Sequence, residues 1–195
     1  YILAAAGSEL GRVFGEGGQF SVQAIENNTV IEVTLPDGQS FSQTIDAGET
    51  FKFATGADNR SIGIDVDQGF DLTGTLVRTS APTAVFSGNE CTNVCIGACD
   101  HLVEQMPPVG ELSTSYVVGE AFSENGTGNN LVRVIAANAN TQGRVNGEVI
   151  ATLGAQESYD FVLDTGAATI ETSSPVLVAQ YLQGRSTAGE GDPAM

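Results

Sequence analysis

Tryptophan is absent from this 195-residue chain, lysine occurs once, at Lys52, and histidine once, at His101. Without tryptophan there is no indole floor on which a sugar ring could stack, so a glycosidase built on paired carboxylates loses its usual companion. A single histidine means that every catalytic scheme using an imidazole must use His101. Basic residues number 7 against 24 acidic ones, a formal charge of -17. Such a surface repels phosphate backbones and anionic lipid, which excludes nucleic acid and membrane insertion from the expected partners. It favours divalent cations, basic protein surfaces and solubility in saline surroundings. No apolar run reaches 18 residues, so no helix is expected to cross a bilayer. Helical periodicity is also nearly missing, apart from one candidate turn from Asp100 to Gln105 that Pro107 and Pro108 would stop.

What replaces it is alternation, the pattern of half-buried strands. Phe20, Val22 and Ala24 fall on one side of a first strand, and Thr29, Ile31, Val33 and Leu35 on one side of the next. Phe51 and Phe53, then Ile62, Ile64 and Val66, continue the pattern. Later come Val132, Val134 and Ala136, then Tyr159, Phe161 and Leu163, then Val176, Val178, Gln180 and Leu182. The opening Tyr1-Ile2-Leu3-Ala4-Ala5-Ala6 reads as a strand rather than an export signal, because it is short and lacks a basic flank. The 24 glycines have no collagen period and read as tight turns.

The chain also repeats itself. Val22-Gln23-Ala24-Ile25 matches Val134-Ile135-Ala136-Ala137, at an offset of 112. Ala47-Gly48-Glu49-Thr50-Phe51 matches Ala155-Gln156-Glu157-Ser158-Tyr159 at 108, and Val77 to Pro82 matches Ile170 to Pro175 at 93. The expected fold is therefore all-β: two related antiparallel β-sandwich-like units in tandem, 1–90 and 112–195, joined by a cysteine-containing connector, 91–111. The Gly191-Asp192-Pro193-Ala194-Met195 ending has no closing element and reads as a piece of a larger protein.

The connector holds all three cysteines, Cys91, Cys95 and Cys99, and the histidine. Four chemistries compete for it. A disulfide, with Cys91–Cys99 the preferred pair and Cys95 left over, would staple a small loop. Three thiolates plus His101 make a permissible zinc set, but all four crowd into a few residues where zinc sites usually pair near ligands with distant ones. Three close cysteines raise an iron–sulfur site, although the spacing fits no cluster motif. A cysteine with His101 could form a nucleophilic dyad, although no protease or nucleophile-elbow signature surrounds it.

The run Asp71-Leu72-Thr73-Gly74-Thr75, then Ser80-Ala81-Pro82, Val85-Phe86-Ser87-Gly88, Cys91, and Cys99-Asp100-His101-Leu102 with Glu104-Gln105-Met106-Pro107-Pro108, resembles the N-terminal domain family of IgGFc-binding protein. The Cys-Asp-His step followed by Glu-Gln-x-Pro-Pro is the most specific part. The resemblance implies a secreted or cell-surface, non-enzymatic module of mucus or adhesion proteins, with an extracellular protein or glycan as ligand. It supports the Cys91–Cys99 pair and gives Asp100, His101, Pro107 and Pro108 a structural part in the connector. Cys95 departs from the family pattern. Immunoglobulin binding is not carried over, since no motif maps to an Fc-contacting surface.

Three further features ask for a role. Asp65, Asp67 and Asp71 alternate around Gly69, and their oxygens could converge on calcium if the backbone turns there. Asn27-Asn28-Thr29, Asn59-Arg60-Ser61 and Asn125-Gly126-Thr127 fit the glycosylation tripeptide, and the polar loop Ser123 to Asn130 offers exposed contacts. The leading functional reading is a non-catalytic adhesion or binding module with no catalytic residue assigned. The alternatives are a self-associating structural spacer of a surface assembly, rigidified by calcium, and a hydrolase.

Overall fold

The computed structural model describes residues 1–5, 17–57, 59–64, 66–67, 69–92, 94, 100–121, 130–163 and 166–182. Among these the chain is almost wholly β. Its strands are β1 (Gly18–Ala24), β2 (Thr29–Thr34), β3 (Ser40–Ile45), β4 (Thr50–Ala54), β5 (Leu76–Thr79), β6 (Thr83–Thr92), β7 (Asp100–Gln105), β8 (Ser113–Gly119), β9 (Asn130–Ala136), β10 (Thr141–Val145), β11 (Glu148–Leu153), β12 (Ser158–Leu163) and β13 (Ala167–Tyr181). Every named pairing is antiparallel. No helix among the described residues is long and apolar enough to cross a membrane.

The first half makes two sheets, ordered β4-β1-β6-β7 and β3-β2-β5. Their alternating residues meet in one core. Phe20, Val22, Ile31, Val33, Phe53, Val77 and Val85 are all buried there. Phe53 stacks on Phe20 and on Phe41, with ring centroids 5.4 and 5.3 Å apart, an offset geometry that adds to plain area burial.

The second half repeats this plan with the register preserved. Val22 pairs with Phe51 and Val85; Val134 pairs with Tyr159 and Val178. These are the offsets of 112, 108 and 93 found in the sequence. β2 and β10 agree as well: Ile31 faces Gln43 and Thr79, and Gly143 faces Ala151 and Thr172. The turns are copied down to single hydrogen bonds. Thr29 and Thr141 each donate Oγ1 to the carbonyl three residues back at 2.7 Å, after Asn28 and Asn140 at φ 56° and 58°. Asp46 and Gly154 each donate N–H to the carboxylate three residues on, Glu49 or Glu157. The opening residues belong to the pattern too. Ile2 bridges Leu76 as Val117 faces Thr169, and the hydroxyls of Tyr1 and Tyr116 donate to the Thr83 and Val176 carbonyls, both at 2.7 Å.

Several sequence expectations change in detail. Asp100–Gln105 is strand, not helical turn, because Leu102 and Val103 pair with Asn89 and Gly88 on β6. That part of the connector therefore extends the first half's sheet. Arg60–Ile62 forms a 3-10 turn, and Ile64 and Val66 lie outside any strand although both are buried. In the second half the Ser173-Ser174-Pro175 step does not separate two strands. β13 runs through it with a register shift between Glu171 and Val176, so the counterparts of β5 and β6 fuse and the half forms one six-stranded sheet.

Candidate binding face

The two halves share a core. Leu131, Ile135, Leu177, Ala179 and Tyr181, from the outward side of the second half's β9–β13 surface, join the same cluster as Ile2, Leu3, Leu72 and Met106. Arg133 stands in the middle of this buried face. Its guanidinium donates to both oxygens of Asp160, at 2.8 and 2.7 Å, and crosses to the first half to reach the Ala5 carbonyl at 2.8 Å, Thr73 Oγ1 at 2.7 Å and Asp71 Oδ2 at 3.2 Å. The Tyr181 hydroxyl donates to the same Ala5 carbonyl at 2.9 Å. Burial works against the arginine's charge, but the carboxylates of Asp160 and Asp71 outweigh it and its pKa is raised. Burial pushes the Tyr181 phenol up as well, against the pull of Arg133. Gly74, at φ 87°, completes the seam: a Cβ there would sit 2.2 Å from the Gln156 carbonyl oxygen.

The same surface on the first half is open. By the shared register, Ser21 stands where Arg133 does, Lys52 where Asp160 does, Phe86 where Ala179 does and Gly88 where Tyr181 does. Here Ser21 faces Lys52 on one side and Phe86 on the other, while Gly88 faces Val103 of β7. These residues, with Gln19, Thr50 and His101, line a groove of about 310 Å³. Gly88 lets β7 close one side of the groove. A Cβ there would lie 1.8 Å from the Leu102 carbonyl oxygen, so only glycine lets β7 lie so close. Val103 is 54% exposed beside the half-buried Phe86. The chain's only lysine and only histidine thus fall in one partly apolar groove on an otherwise acidic molecule.

The expected site residues are dispersed. His101 lines this groove. Pro107 lines a separate cleft between the halves, with Met106, Tyr116 and Leu177. Pro108 precedes the 3-10 turn Val109–Glu111 and accepts the Glu111 N–H. The backbone of Asp100 pairs with Thr92. Cys91 is disulfide-bonded, and both other cysteines, Cys95 and Cys99, lie outside the described residues. Asp65 also lies outside them, and Asp71 is already committed to Arg133 and to the Thr73 N–H. Among the described residues no three His, Cys, Asp or Glu side chains gather as a metal site requires. Of the glycosylation asparagines, Asn59 spends its amide N–H on the Ala54 and Ala57 carbonyls, and Asn125 lies outside the described residues. Arg133 is the residue that reading the sequence misses. Its signal was there: a lone cation inside the apolar run Leu131-Val132-Arg133-Val134-Ile135 must find a partner when buried.

The model of the family described as IgGFc binding protein matches residues 1–195. The chain belongs to the IgGFc-binding protein family. It is similar to a human protein named IgGFc-binding protein, 30% identical over 108 residues, which is 55% of this chain. The chain spans about 2% of that relative's length. No solved structure matches. The Asp71-Leu72-Thr73-Gly74-Thr75 run that carried the resemblance has a physical role in this fold: Asp71, Thr73 and Gly74 are the first half's side of the seam.

Proposed function

We propose that the chain is a non-catalytic, extracellular binding module of a larger secreted or cell-surface protein, and that its partner lands on the open face of the first half. One observation carries the reading. The face built by Ser21, Lys52, Phe86, Gly88 and Val103 is the counterpart of a face that the second half keeps buried, yet here it forms an open groove with Lys52 and Val103 exposed and Ser21 and Phe86 half-buried. An apolar floor with a few polar groups at its rim is the anatomy of a protein or glycan contact. Family membership supports the extracellular setting. In that setting Cys99 is the proposed partner of Cys91.

The relative's printed name makes immunoglobulin Fc the first partner to try. Immobilised Fc, mucin glycoprotein and a glycan panel are exposed to the whole chain and to Phe86→Asp and Val103→Asp variants. Capture by the parent and loss of it in both variants, with melting temperatures preserved, is the expected result. Equal capture by parent and variants would place the contact elsewhere, and no capture of any probe would overturn this choice of partners.

A further inference from the structure

From the internal symmetry we infer that the open face of the first half receives the second half of another copy, so that molecules stack head to tail. The inference rests on the binding-module reading and adds to it the class of partner, a β unit of this same kind.

The contact already made inside the chain is the template. There the second half offers the face around Arg133, and the first half covers it with its opening strand and the Asp71–Gly74 turn. Each half therefore owns both a face and a cover. The first half's cover is used and the second half's face is used. The first half's face and the second half's cover are left over. The opening strand's counterpart is β8: Tyr1, Ile2, Ala4 and Ala5 correspond to Tyr116, Val117, Gly119 and Glu120. Ile2 is fully buried in the shared core, whereas Val117 is 73% exposed. An exposed valine in the place of a buried isoleucine marks a cover with nothing beneath it.

The charges agree with this docking. Inside the chain, the cation of the face, Arg133, points at Ala5 of the cover. On the unused pair Ser21 takes the place of Arg133 and the cation sits one strand over, on the paired Lys52, while the cover carries Glu120 in the place of Ala5. Glu120 is exposed, with one carboxylate oxygen accepting the Gly166 N–H at 2.8 Å. Val117 would meet Phe86 and Val103, and Glu120 would meet Lys52. A face that takes a different surface of the next copy does not close on itself, so the product is an open stack whose length grows with concentration.

Sedimentation of the whole chain over a wide concentration range tests this. The weight-average mass should rise with concentration. Lys52→Glu and Glu120→Lys should each stay monomeric when alone, and an equimolar mixture should associate again, because opposite charges then face each other at every contact. Val117→Asp, at an exposed position that folding does not need, should be monomeric in every mixture that relies on its cover. A parent chain that stays monomeric at all concentrations, or variants that fail to rescue each other, would overturn the stack. Capture of Fc or mucin measured on the Glu120→Lys and Val117→Asp samples, whose substitutions lie off the open face, keeps the two readings apart, since stacking can fail while ligand capture survives.

Discussion

At the scale of single residues, the molecule depends on one buried cation and what it touches. Arg133 satisfies two carboxylates, a hydroxyl and a carbonyl, drawn from both halves. Replacing it by methionine keeps much of the volume and removes every one of those donors. A fully buried pair broken in this way costs roughly 3–5 kcal/mol. The Asp71 and Asp160 side chains keep 39% and 34% exposure, so water can rehydrate them, and about 2–3 kcal/mol is expected for Arg133→Met in denaturant titration. Tyr181 adds a pH dependence with a definite sign. Its folded-state pKa is raised by burial, so its contribution is intact below the ordinary tyrosine value near 10 and is lost as pH rises beyond it, when only the unfolded chain can ionise. Tyr181→Phe gives up a hydrogen bond of about 1 kcal/mol at neutral pH, and its stability should fall less steeply than the parent's above that value. An unchanged alkaline slope would show that Tyr181 is not the group responsible.

At the scale of strands, the sequence was legible wherever side-chain alternation decided the structure and illegible wherever pairing with a distant strand did. Phe20-Val22-Ala24 and Val132-Val134-Ala136 announce their inward sides, and the repeat offsets are the sheet registers themselves. Asp100–Gln105 carries no such clue, since its strand form comes from lying against β6 at Gly88. Ser80-Ala81-Pro82 and Ser173-Ser174-Pro175 look alike, but the first separates two strands and the second only shifts a register. Local chemistry permits both outcomes, and the surrounding sheet selects between them. The outer face was illegible for a related reason: Lys52 and His101 lie far apart along the chain and line one groove only because β4, β1, β6 and β7 lie side by side. The β6–β7 pairing is the fragile part. A methyl at residue 88 must push the Leu102 backbone away, and Gly88→Ala should cost about 2–3 kcal/mol by overpacking. Amide exchange should quicken at Val103 and Gln105 while β2 and β10 keep their protection. Gly110→Ala, where a Cβ meets nothing within 4 Å, is the matched control and should stay within about 0.5 kcal/mol of the parent.

At the scale of the whole molecule, two similar halves have become unequal by the way they meet. Each half has alternating strands turned toward a core of its own kind, and the second also has a separate cluster of Val118, Val132, Val134, Ile170 and Val176. The second half's outer face is the more apolar of the two, with Leu131 and Ile135 on β9 where the first half has Gln19 and Gln23 on β1, and Leu177 and Ala179 where it has Ala84 and Phe86. That difference sets how the molecule should unfold. The second half cannot stand in water with that face uncovered, and the residues covering it, Ile2, Leu72 and Met106, belong to the first half's core. The seam is therefore not a hinge between independent domains but part of one cooperative unit. Calorimetry of the whole chain should give a single transition whose calorimetric and van't Hoff enthalpies agree. Arg133→Met and Gly74→Ala, which act on the seam from opposite sides, should lower that one transition without splitting it. Two transitions in the parent, or a first half that keeps its melting temperature when the seam is broken, would mean that the halves fold separately and that the shared core is only contact.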